Sequence, residues 1–326
     1  MRLICNPCHE PAFNLALEEY LLTQTQLDAI VLWRNSRAVI IGSNQNAVEE
    51  IDADYVRGRE IAVIRRQSGG GAVFHDLGNI NFTIIQNAAE PGLGGYEQFT
   101  APVCKYLETL GVNAQFSGRN DLVIDGQKFC GNAQALKKDR IMHHGCILFD
   151  ADFTDLAGAL KPKAEKIESK GIKSVRSRVT NVAVHLKIPM TPEQFLGGLA
   201  GYFRANITGI REYELTPGDI AAAKAIAEEK HARWEWNFGK SPPYNWENGR
   251  RYPFGQVDAR LQVSGGVIEQ ASFFGDFFGI EAKSGLEEKL QGIRHERTAI
   301  ETALKGLDIG RYIQGMTTEE LLDLLY

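Results

Sequence analysis

Three consecutive glycines, Gly69, Gly70 and Gly71, lie between an arginine pair and a histidine, a combination that could bind an anion. Glycine lacks a Cβ and adopts positive φ readily, so the backbone N–H groups of such a run can converge on one ligand. Arg65 and Arg66 precede the run and supply charge of the matching sign. This pattern predicts a ligand with a phosphate or carboxylate group, whereas three glycines alone would more simply form a flexible turn between strands.

The glycine run does not fit the two best-known nucleotide-binding patterns. Neither G-x-x-x-x-G-K-[ST] nor a G-x-G-x-x-G that follows a strand is present at this place in the sequence. The segment therefore gives no support to a kinase, a GTPase or a Rossmann dehydrogenase.

Two further segments carry polar and basic residues that could take part in the same chemistry. In residues 117–134 an apolar run is followed by Asp125 and Gly126, which predicts a β-hairpin with a tight primed turn. Lys128 would lie just past that turn, where a solvated lysine on a hairpin edge is the simpler interpretation. Residues 170–181 are basic, with hydroxyl side chains between the charges.

The three segments, in this order, resemble the lipoate–protein ligase A family. The matching stretches, which cover about the first three quarters of the chain, are residues 14–16 with Glu18 and Glu19, 32–35, 66–76, 117–121, 128–133, 143–145, 174–181 and 234–239. Several long motifs in one order are more specific than any one of them. Cys130 and Asn132 stand where many family members carry small residues such as serine, and we treat both as tolerated variation.

The resemblance implies a mixed α/β and α+β catalytic domain with the fold of biotin and lipoate protein ligases, similar to class II aminoacyl-tRNA synthetase cores. A small α+β accessory domain is expected after it. We place the catalytic domain at residues 1–243 and the accessory domain at residues 252–326, because prolines and turn-forming residues in 239–249 interrupt regular structure. At 326 residues, the chain exceeds the usual size of one domain.

Hydrophobic periodicity and turn residues predict the elements around these motifs. In the catalytic domain the predicted strands are 31–33, 38–41, 61–64, 81–85 and 146–149, and the predicted helices are 13–22, 48–59 and 101–110, the last ended by Gly111. In the accessory domain we predict a hairpin of 256–263 with 267–274, then helical runs at 286–304 and 318–325. Thr317 and Glu320 have the spacing of a capping box for the last helix.

Composition indicates a globular protein whose partners are small molecules or proteins. Hydrophobic residues make up 44% of the chain and charged residues 24%, which is ordinary for a protein with a sizeable core. The formal net charge of −5 argues against nucleic-acid binding, which usually requires a basic surface. The sequence has neither an apolar run of about eighteen residues nor a secretory signal, so we expect a cytoplasmic protein without a membrane partner.

The five cysteines, Cys5, Cys8, Cys104, Cys130 and Cys146, are scattered and odd in number, which in a reducing compartment indicates free thiols. Residues 5–9 match the C-x-x-C-H pattern of covalent haem attachment, but without an export signal we expect no haem. No second pair of ligands has a similar spacing, so we expect no zinc site.

The resemblance implies a two-step reaction that joins lipoate to a lysine of another protein. Because a carboxylate is a poor electrophile, it first attacks the α-phosphate of ATP to give an acyl-adenylate and pyrophosphate, and the acceptor lysine then displaces AMP. The expected catalytic residues are Arg66, Lys128 and Asp121. Arg66, the glycine amides and Lys128 would hold the negative charge, with Mg²⁺ bridging phosphate oxygens. Asp121 could order the metal or draw the incoming ammonium proton, or it could stabilise a turn.

The nucleotide and the acyl substrate are expected to share several residues. For ATP we expect contacts from Arg66, Gly69, Gly70, Gly71, Ala72, Val73, Phe74, His75, Asn120, Lys128, Ser174 and Arg178. For the acyl substrate we expect contacts from Trp33, Gly71, Val73, Lys128, Gly131, Ala133 and His144. Trp33, Val73 and Phe74 are candidates for an apolar slot, although each could belong to the core. His75 could equally be a structural histidine, and His143 and His144 could simply pack near the sheet.

The segment 161–178 carries seven basic residues against two glutamates, an excess that contrasts with the acidic chain as a whole. It could form a loop over the adenylate or a docking face for an acidic partner. A solvated helix face is the alternative.

The resemblance implies that the acceptors are lipoyl domains of 2-oxoacid dehydrogenase complexes and the glycine cleavage H protein, with lipoate or octanoate as the acyl substrate. An ATP-independent octanoyl or lipoyl transferase that forms a cysteine thioester is an alternative, for which Cys130 and Cys146 are candidates. A non-enzymatic lipoyl-protein binder is another. The accessory domain and the Lys128 motif favour the ligase.

Overall fold

The computed structural model of the chain describes residues 1–88, 93–118, 120–160, 178–238 and 244–326. In chain order, the strands are β1 (Arg2–Cys5), β2 (Ala29–Trp33), β3 (Ala38–Ile41), β4 (Ala62–Arg65), β5 (Val73–His75), β6 (Asn79–Asn87), β7 (Ala114–Ser117), β8 (Asp121–Ile124), β9 (Gln127–Lys137), β10 (Arg140–Leu148), β11 (Arg211–Glu212), β12 (Trp246–Tyr252), β13 (Gly255–Ser264) and β14 (Val267–Gly275). The α-helices are α1 (Pro11–Thr23), α2 (Ala47–Glu50), α3 (Ala53–Gly58), α4 (Tyr96–Thr109), α5 (Phe153–Ala159), α6 (Pro192–Asn206), α7 (Pro217–Ile226), α8 (Trp234–Asn237), α9 (Ser284–Leu290), α10 (Arg297–Leu304), α11 (Ile309–Tyr312) and α12 (Thr318–Leu325).

The largest sheet has eight strands in the order β11-β1-β2-β6-β10-β9-β8-β7. Because successive side chains of a strand point to opposite faces, its buried residues divide into two layers. Leu32 and Phe82 pack in the layer beneath α4 and α6. Val31 and Trp33 pack in the other layer, against α1 and a three-stranded sheet of order β4-β3-β5. The glycine loop connects β4 to β5 and therefore lies over this second face.

Helix α1 is fixed at its start and buried along its length. Glu10 accepts hydrogen bonds from the backbone N–H groups of Ala12, at 3.0 Å, and of Phe13, and Pro11 occupies the first turn, where its missing donor costs nothing. Two polar residues of this helix, Asn14 and Glu18, are only 2% and 3% exposed. The helix thus carries polar side chains into the interior of the catalytic domain.

The accessory domain consists of a three-stranded sheet, β12-β13-β14, with α9 to α12 packed on it around a separate core. Strand β12 begins at Trp246, so this sheet starts before the expected domain boundary at residue 252. The domain contacts the catalytic domain beside the glycine loop. Asn44 donates from its side-chain amide to the carbonyl oxygen of Phe277 at 3.1 Å, and it accepts from the backbone N–H of Gly275 at 3.0 Å.

Two local predictions from the sequence are confirmed. Asp125 and Gly126 have φ values of 51° and 78°, the positive values that a primed two-residue turn between β8 and β9 requires. Thr317 and Glu320 form the reciprocal bonds of a capping box at the start of α12.

Two predicted helices are wrong in part, because each is two shorter helices. The helix expected at 48–59 is interrupted at Ile51, which is extended, and Asp52 then caps α3 by accepting from the backbone N–H of Tyr55 at 2.9 Å. The run expected at 286–304 is broken after α9, where Gly292 has a φ of 80°. Within the described ranges, no helix combines the length and the apolar character needed to cross a bilayer.

Candidate active site

A cavity of about 130 Å³ lies between the glycine loop and the second face of the large sheet. It brings together residues from eight separated stretches of the chain. Of the residues expected at the site, those lining it are Trp33, Arg66, Gly70, Gly71, Ala72, Val73, His75, Asn120, Lys128, Gly131, Ala133 and His144. The expected nucleotide and acyl groups of residues therefore share one cavity, with Leu15 and Ile40 adding apolar surface to its wall.

The floor of the cavity follows from strand register, because residues directly opposite one another on neighbouring strands share a face. One row runs across β9, β10, β6 and β2 through Gly131, Cys146, Asn81 and Trp33. The next row runs through Ala133, His144, Thr83 and Val31. The pairing of these four strands thus places polar and aromatic side chains side by side under the glycine loop.

Lys128 reaches the cavity from β9 and is paired with Asp121 of the neighbouring strand. Its Nζ lies 2.7 Å from Asp121 Oδ1, and both side chains are about one third exposed. A Cβ added at Gly131 would lie 2.9 Å from that Nζ, so the glycine leaves room for the ammonium group. The backbone of Lys128 is held by Arg178, whose carbonyl oxygen accepts its N–H at 2.8 Å.

Asp121 was a candidate metal ligand, and here its carboxylate serves Lys128 as a counter-ion. In the part of the chain that the structure describes, no group of three or more His, Cys, Asp or Glu side chains is placed to hold a metal ion. Divalent cations such as Mg²⁺ prefer several oxygen ligands, and a single paired carboxylate does not supply them.

Arg66 shapes the glycine loop from beneath. Its guanidinium donates to the carbonyl oxygens of Gly69 at 2.7 Å and Gly71 at 2.8 Å, to Ile40 O at 3.1 Å and to Ser68 Oγ at 3.0 Å. These bonds use four of the five guanidinium N–H donors. Burial lowers its pKa to about 10, so the group remains charged near neutral pH. Arg66 thus brings a positive charge under the loop while most of its donors are used by the loop itself.

Arg65 does not contribute to the cavity, so the expectation that both arginines would face the ligand is wrong. Its guanidinium donates to the backbone oxygens of Gly42, Gln45, Trp236 and Asn237 at 2.6 to 2.9 Å. The buried group therefore ties α8 to the catalytic sheet. Arg65 is the last residue of β4 and Arg66 follows it, and the side chains of adjacent residues in extended backbone point to opposite sides.

The glycine loop is covered by the accessory domain. Gly70 has the expected positive φ, 88°, but its backbone N–H donates to the carbonyl oxygen of Phe277 at 3.4 Å. Added Cβ atoms at Gly69 and Gly70 would lie 3.0 and 3.1 Å from the Phe278 ring. Gly69 does not line the cavity, in contrast to Gly70 and Gly71.

A hydrogen-bonded chain places His144 and Trp33. Ser68 Oγ donates to His144 Nε2 at 2.7 Å, and His144 Nδ1 lies 3.0 Å from a carboxylate oxygen of Glu18. Thr83 donates to the same oxygen at 2.5 Å and accepts from the indole N–H of Trp33 at 2.9 Å. Glu18 thus orients both the histidine and, through Thr83, the tryptophan that forms the cavity wall.

Sequence reasoning did not select Glu18, Ser68 or Thr83 as site residues. Glu18 offered a detectable signal, since it follows Asn14 by one helical turn within the otherwise apolar face of α1. Thr83 lies in a buried strand, where a threonine by itself is unremarkable.

His75 is a neutral histidine inside the cavity wall. Burial, assisted by the charges of Arg66 and His144, lowers its pKa to about 3. Asn35 donates from its amide to His75 Nδ1 at 3.1 Å, so the ring proton is on Nε2. The imidazole can therefore donate a hydrogen bond without carrying charge.

Three other expected or alternative residues are placed away from the chemistry. Phe74 is 1% exposed and packs in the core behind the second sheet, so it does not form the apolar slot. His143 stacks on Phe99 at 4.8 Å on the opposite face of the large sheet. Cys130 is fully buried on that face, and burial raises its thiol pKa well above the ordinary value.

Ser174 lies outside the described residues, and so does the basic segment 161–178 except for the exposed Arg178.

Two family models match the chain. The model of the lipoyl protein ligase A/B catalytic domain matches residues 10–204, and that of the bacterial lipoate protein ligase C-terminus matches residues 241–325. Lipoate-protein ligase LplJ of Bacillus subtilis strain 168 is 43% identical over 322 residues, which cover 98% of this chain and 97% of that protein. Lipoate–protein ligase 1 of Staphylococcus aureus strain Mu50 is 37% identical over 322 residues, 98% of each chain.

Solved structures of such ligases share the fold. The chain superposes on Plasmodium falciparum LipL1, crystallised with lipoate, with a TM-score of 0.78 at 23% identity, over 99% of this chain and 97% of that one. A lipoate-protein ligase A bound with ATP gives a TM-score of 0.63 at 27% identity, over 73% of this chain and 98% of that one. Matched in both of its domains and along nearly the whole length of its relatives, the chain belongs to the lipoate–protein ligase family of enzymes.

Proposed function

We propose that this enzyme activates lipoate, or its relative octanoate, with ATP and transfers the acyl group to a lysine of an acceptor protein. The observation that carries the proposal is one cavity that contains the Lys128 ammonium group, the loop shaped by Arg66 and the Trp33 wall. An acyl-adenylate needs this combination, since it joins an apolar chain to an anionic nucleotide. The relatives named lipoate–protein ligase and the ATP-bound ligase A of the same fold agree with it.

In the first step, a carboxylate oxygen of the acyl substrate attacks the α-phosphorus of ATP and pyrophosphate leaves. Lys128 is a partly exposed cation at the cavity, and its long side chain would follow the charge as it moves onto the departing phosphates. The buried charge of Arg66 adds a fixed positive field beneath the loop. Gly71, Ala72 and Val73 line the same cavity, and we propose their backbone N–H groups as candidate phosphate donors.

Mg²⁺ is proposed to enter with ATP as part of the substrate. The chain's own contribution is Asp121, whose carboxylate holds the Lys128 ammonium group toward the cavity. Asp121 is the carboxylate that would contact such a cation, which would supply neutralisation of phosphate charge.

In the second step, the amine of an acceptor lysine attacks the acyl carbonyl and AMP leaves. The acceptors proposed are lipoyl domains of 2-oxoacid dehydrogenase complexes and the glycine cleavage H protein. A structure of an archaeal bipartite lipoate protein ligase and its E2 lipoyl domain, 29% identical with a TM-score of 0.66, supports a lipoyl domain as partner. We also propose that the accessory domain moves between the steps, because it covers the loop at Gly69 and Gly70.

The first step is tested by lipoate-dependent release of pyrophosphate from purified protein with ATP and Mg²⁺. We expect release to require lipoate or octanoate and to occur without any acceptor protein. Release that is independent of the fatty acid would identify an ordinary ATP pyrophosphatase, and no release would leave the non-enzymatic binder as the better account.

A further inference from the structure

A groove of about 880 Å³ lies beside strand β1, and the described residues that line it are different from those that line the active-site cavity. Its volume is within the range of about 300–1,000 Å³ that is usual for ligand sites. Residues 3–8 form part of its lining and include most of the C-x-x-C-H segment, for which the proposed function has no role. Helix α7 and the π-helical turn Ala227–His231, which follows it, contribute another part. The groove therefore lies between a strand of the large sheet and a helix.

Strand β1 has an open edge at this groove. It pairs with β2 from Arg2 to Cys5, but it pairs with β11 only at Arg2 and Leu3. The backbone N–H of Asn6 donates to an oxygen of β2 at 2.9 Å, whereas the carbonyl oxygen of Leu3 accepts from the N–H of Tyr213, on the β11 side, at 2.9 Å. Because the backbone groups of alternate strand residues point to the same edge, Cys5 directs its N–H and C=O to the β11 side. Cys5 is exposed and lines the groove, and β11 does not extend to it, so an incoming strand could pair with these groups.

One helical face supplies other side chains of the groove. Ile220, Lys224, Ala227 and Glu228 have the spacing i, i+4, i+7 and i+8, which places them on one side of the helical segment. Phe13 of α1 adds apolar surface. An exposed strand edge next to a helix face can bind an extended peptide by strand addition, in which backbone hydrogen bonds hold the peptide and alternate side chains enter the groove.

The groove is acidic. Four exposed glutamates line it, which are Glu10, Glu212, Glu214 and Glu228. Lys224 is the one cation among the described residues of the lining, so four carboxylates face one ammonium group. A fatty acid or a nucleotide would be repelled by this charge, whereas a positively charged segment would be attracted.

We propose that this groove binds a short extended segment of a partner protein, in which basic residues flank an apolar one, by strand addition to β1. The proposal goes beyond the proposed function, since it concerns a different surface and does not depend on the acyl-transfer chemistry. The segment would accept a hydrogen bond from the Cys5 N–H and donate one to the Cys5 carbonyl oxygen. Its apolar side chain would pack on Ile220, and its basic side chains would face Glu214 and Glu228. Pro7 has no N–H and ends the edge, so the segment would pair over only about three residues.

The main test uses a fluorescein-labelled heptapeptide of alternating lysine and valine, with lysine at both ends, and measures its binding to the full chain by fluorescence polarisation. We expect saturable binding that weakens as the salt concentration is raised, since the glutamates are exposed. The same peptide with glutamate in place of lysine should bind at least about tenfold more weakly. The absence of saturable binding of the lysine peptide, or equal binding of both peptides, would overturn the proposal.

Charge reversal tests where the peptide binds. Glu214→Lys combined with Glu228→Lys should raise the Kd of the lysine peptide about 5- to 30-fold. Glu229→Lys combined with Glu235→Lys makes the same change in net charge at exposed positions outside the groove lining, and it should change the Kd less than about twofold. Both double variants should release pyrophosphate like the wild type, because none of the four glutamates lines the active-site cavity. Equal weakening by the two pairs would show that the peptide responds only to overall charge, which contradicts the proposal.

Strand addition is tested on the peptide, so the folding of the enzyme is not in question. Methylation of the backbone nitrogen at every lysine removes the N–H groups of one edge of the peptide, and methylation at every valine removes those of the other edge. One methylated peptide should bind like the parent peptide, and the other should bind roughly tenfold or more weakly. Retention of binding by both, or loss of binding by both, would contradict strand addition.

The occupant of the groove is tested by cysteine alkylation and by sedimentation velocity. The bound lysine peptide should slow the alkylation of Cys5 by iodoacetamide, while Cys104, a half-buried thiol of α4, should react at an unchanged rate. An unchanged rate at Cys5 would show that the peptide binds elsewhere. Self-association of the wild type that is lost in the variant with Glu214→Lys and Glu228→Lys would show that a second copy of the chain occupies the groove, and it would overturn the proposal of a separate partner.

Discussion

The backbone N–H of Gly70 donates to the carbonyl oxygen of Phe277, so a bond from the glycine loop of the catalytic domain ends on the accessory domain. The adjacent Phe278 ring lies against the same loop. To accept a hydrogen bond from the Gly70 N–H, a phosphate oxygen would have to displace the carbonyl oxygen of Phe277. If the nucleotide binds at the loop as proposed, its binding and the docking of the accessory domain would be coupled through this one donor.

Phe278→Ala should weaken this docking, because it removes the ring that covers Gly69 and Gly70. We expect small-angle scattering of the unliganded variant to show a larger radius of gyration than the wild type. Tyr326→Ala, which removes an exposed aromatic ring, should scatter like the wild type. Wild-type protein with ATP and octanoate should also differ from unliganded protein, and identical profiles in all of these states would argue against domain movement.

Lys128→Met should abolish most of the first half-reaction, because the cavity loses its partly exposed cation. We expect lipoate-dependent pyrophosphate release to fall roughly 100- to 1,000-fold, the usual effect of losing one positioned donor to developing charge. Lys105→Met, a change at an exposed lysine of α4, is the control and should remain within about twofold of wild type. A Lys128 variant that keeps near-normal turnover would remove this residue from the mechanism.

Cys130→Ala and Cys146→Ala should both keep ATP-dependent activity. Burial raises the pKa of Cys146 to about 12 and that of Cys130 well above its ordinary value, so neither thiol provides a thiolate near neutral pH. We expect each variant to retain turnover within about fivefold of wild type. Acyl transfer without ATP that disappears in either variant would instead support the cysteine acyltransferase.

Glu19→Gln should lower stability in a pH-dependent way. Glu19 on α1 accepts hydrogen bonds from Lys230 Nζ and His231 Nε2, each at 2.8 Å. Burial alone would raise its pKa, but these two partners outweigh burial and lower the pKa from 4.5 to about 2. The stabilisation is therefore complete above about pH 4.5 and is lost as the pH falls from there toward 2.

The free energy of unfolding from urea titrations measures this effect. At pH 7 the variant should be on the order of 2–3 kcal/mol less stable than wild type, and the difference should shrink as the pH is lowered below about 4.5. Glu108→Gln, at an exposed position of α4, should show no such dependence. A difference between wild type and Glu19→Gln that is constant with pH would show that the carboxylate charge is not involved.

The sequence predicted which motifs meet, but not how their donors are used. The glycine loop, Lys128 and Trp33 do line one cavity, because long motifs report which segments are close in the fold. The pattern could not indicate that Arg66 donates four hydrogen bonds to neighbouring oxygens of the protein. Nor could it indicate that the Arg65 side chain points away from the cavity. Those outcomes depend on burial, since a buried guanidinium must find acceptors wherever the backbone offers them.

Asn81 shows more clearly what the sequence does not predict. Its side-chain amide has no hydrogen-bond partner within the described chain, whereas the amide of Asn79 is bonded. Both residues lie in a strand with apolar neighbours, and nothing in their sequence context separates them. The difference arises from register, which places Asn81 between Trp33 and Cys146 on the open part of the floor. Register between distant strands is a property of the whole sheet, so the sequence around one residue does not reveal it.

The most direct test of the central claim is the mass of an apo lipoyl domain incubated with the purified enzyme, ATP, Mg²⁺ and lipoate. The account predicts that the domain gains one lipoyl group on its acceptor lysine, and only when ATP and lipoate are both present. A domain whose mass does not change, or one that is acylated equally well without ATP, would contradict it.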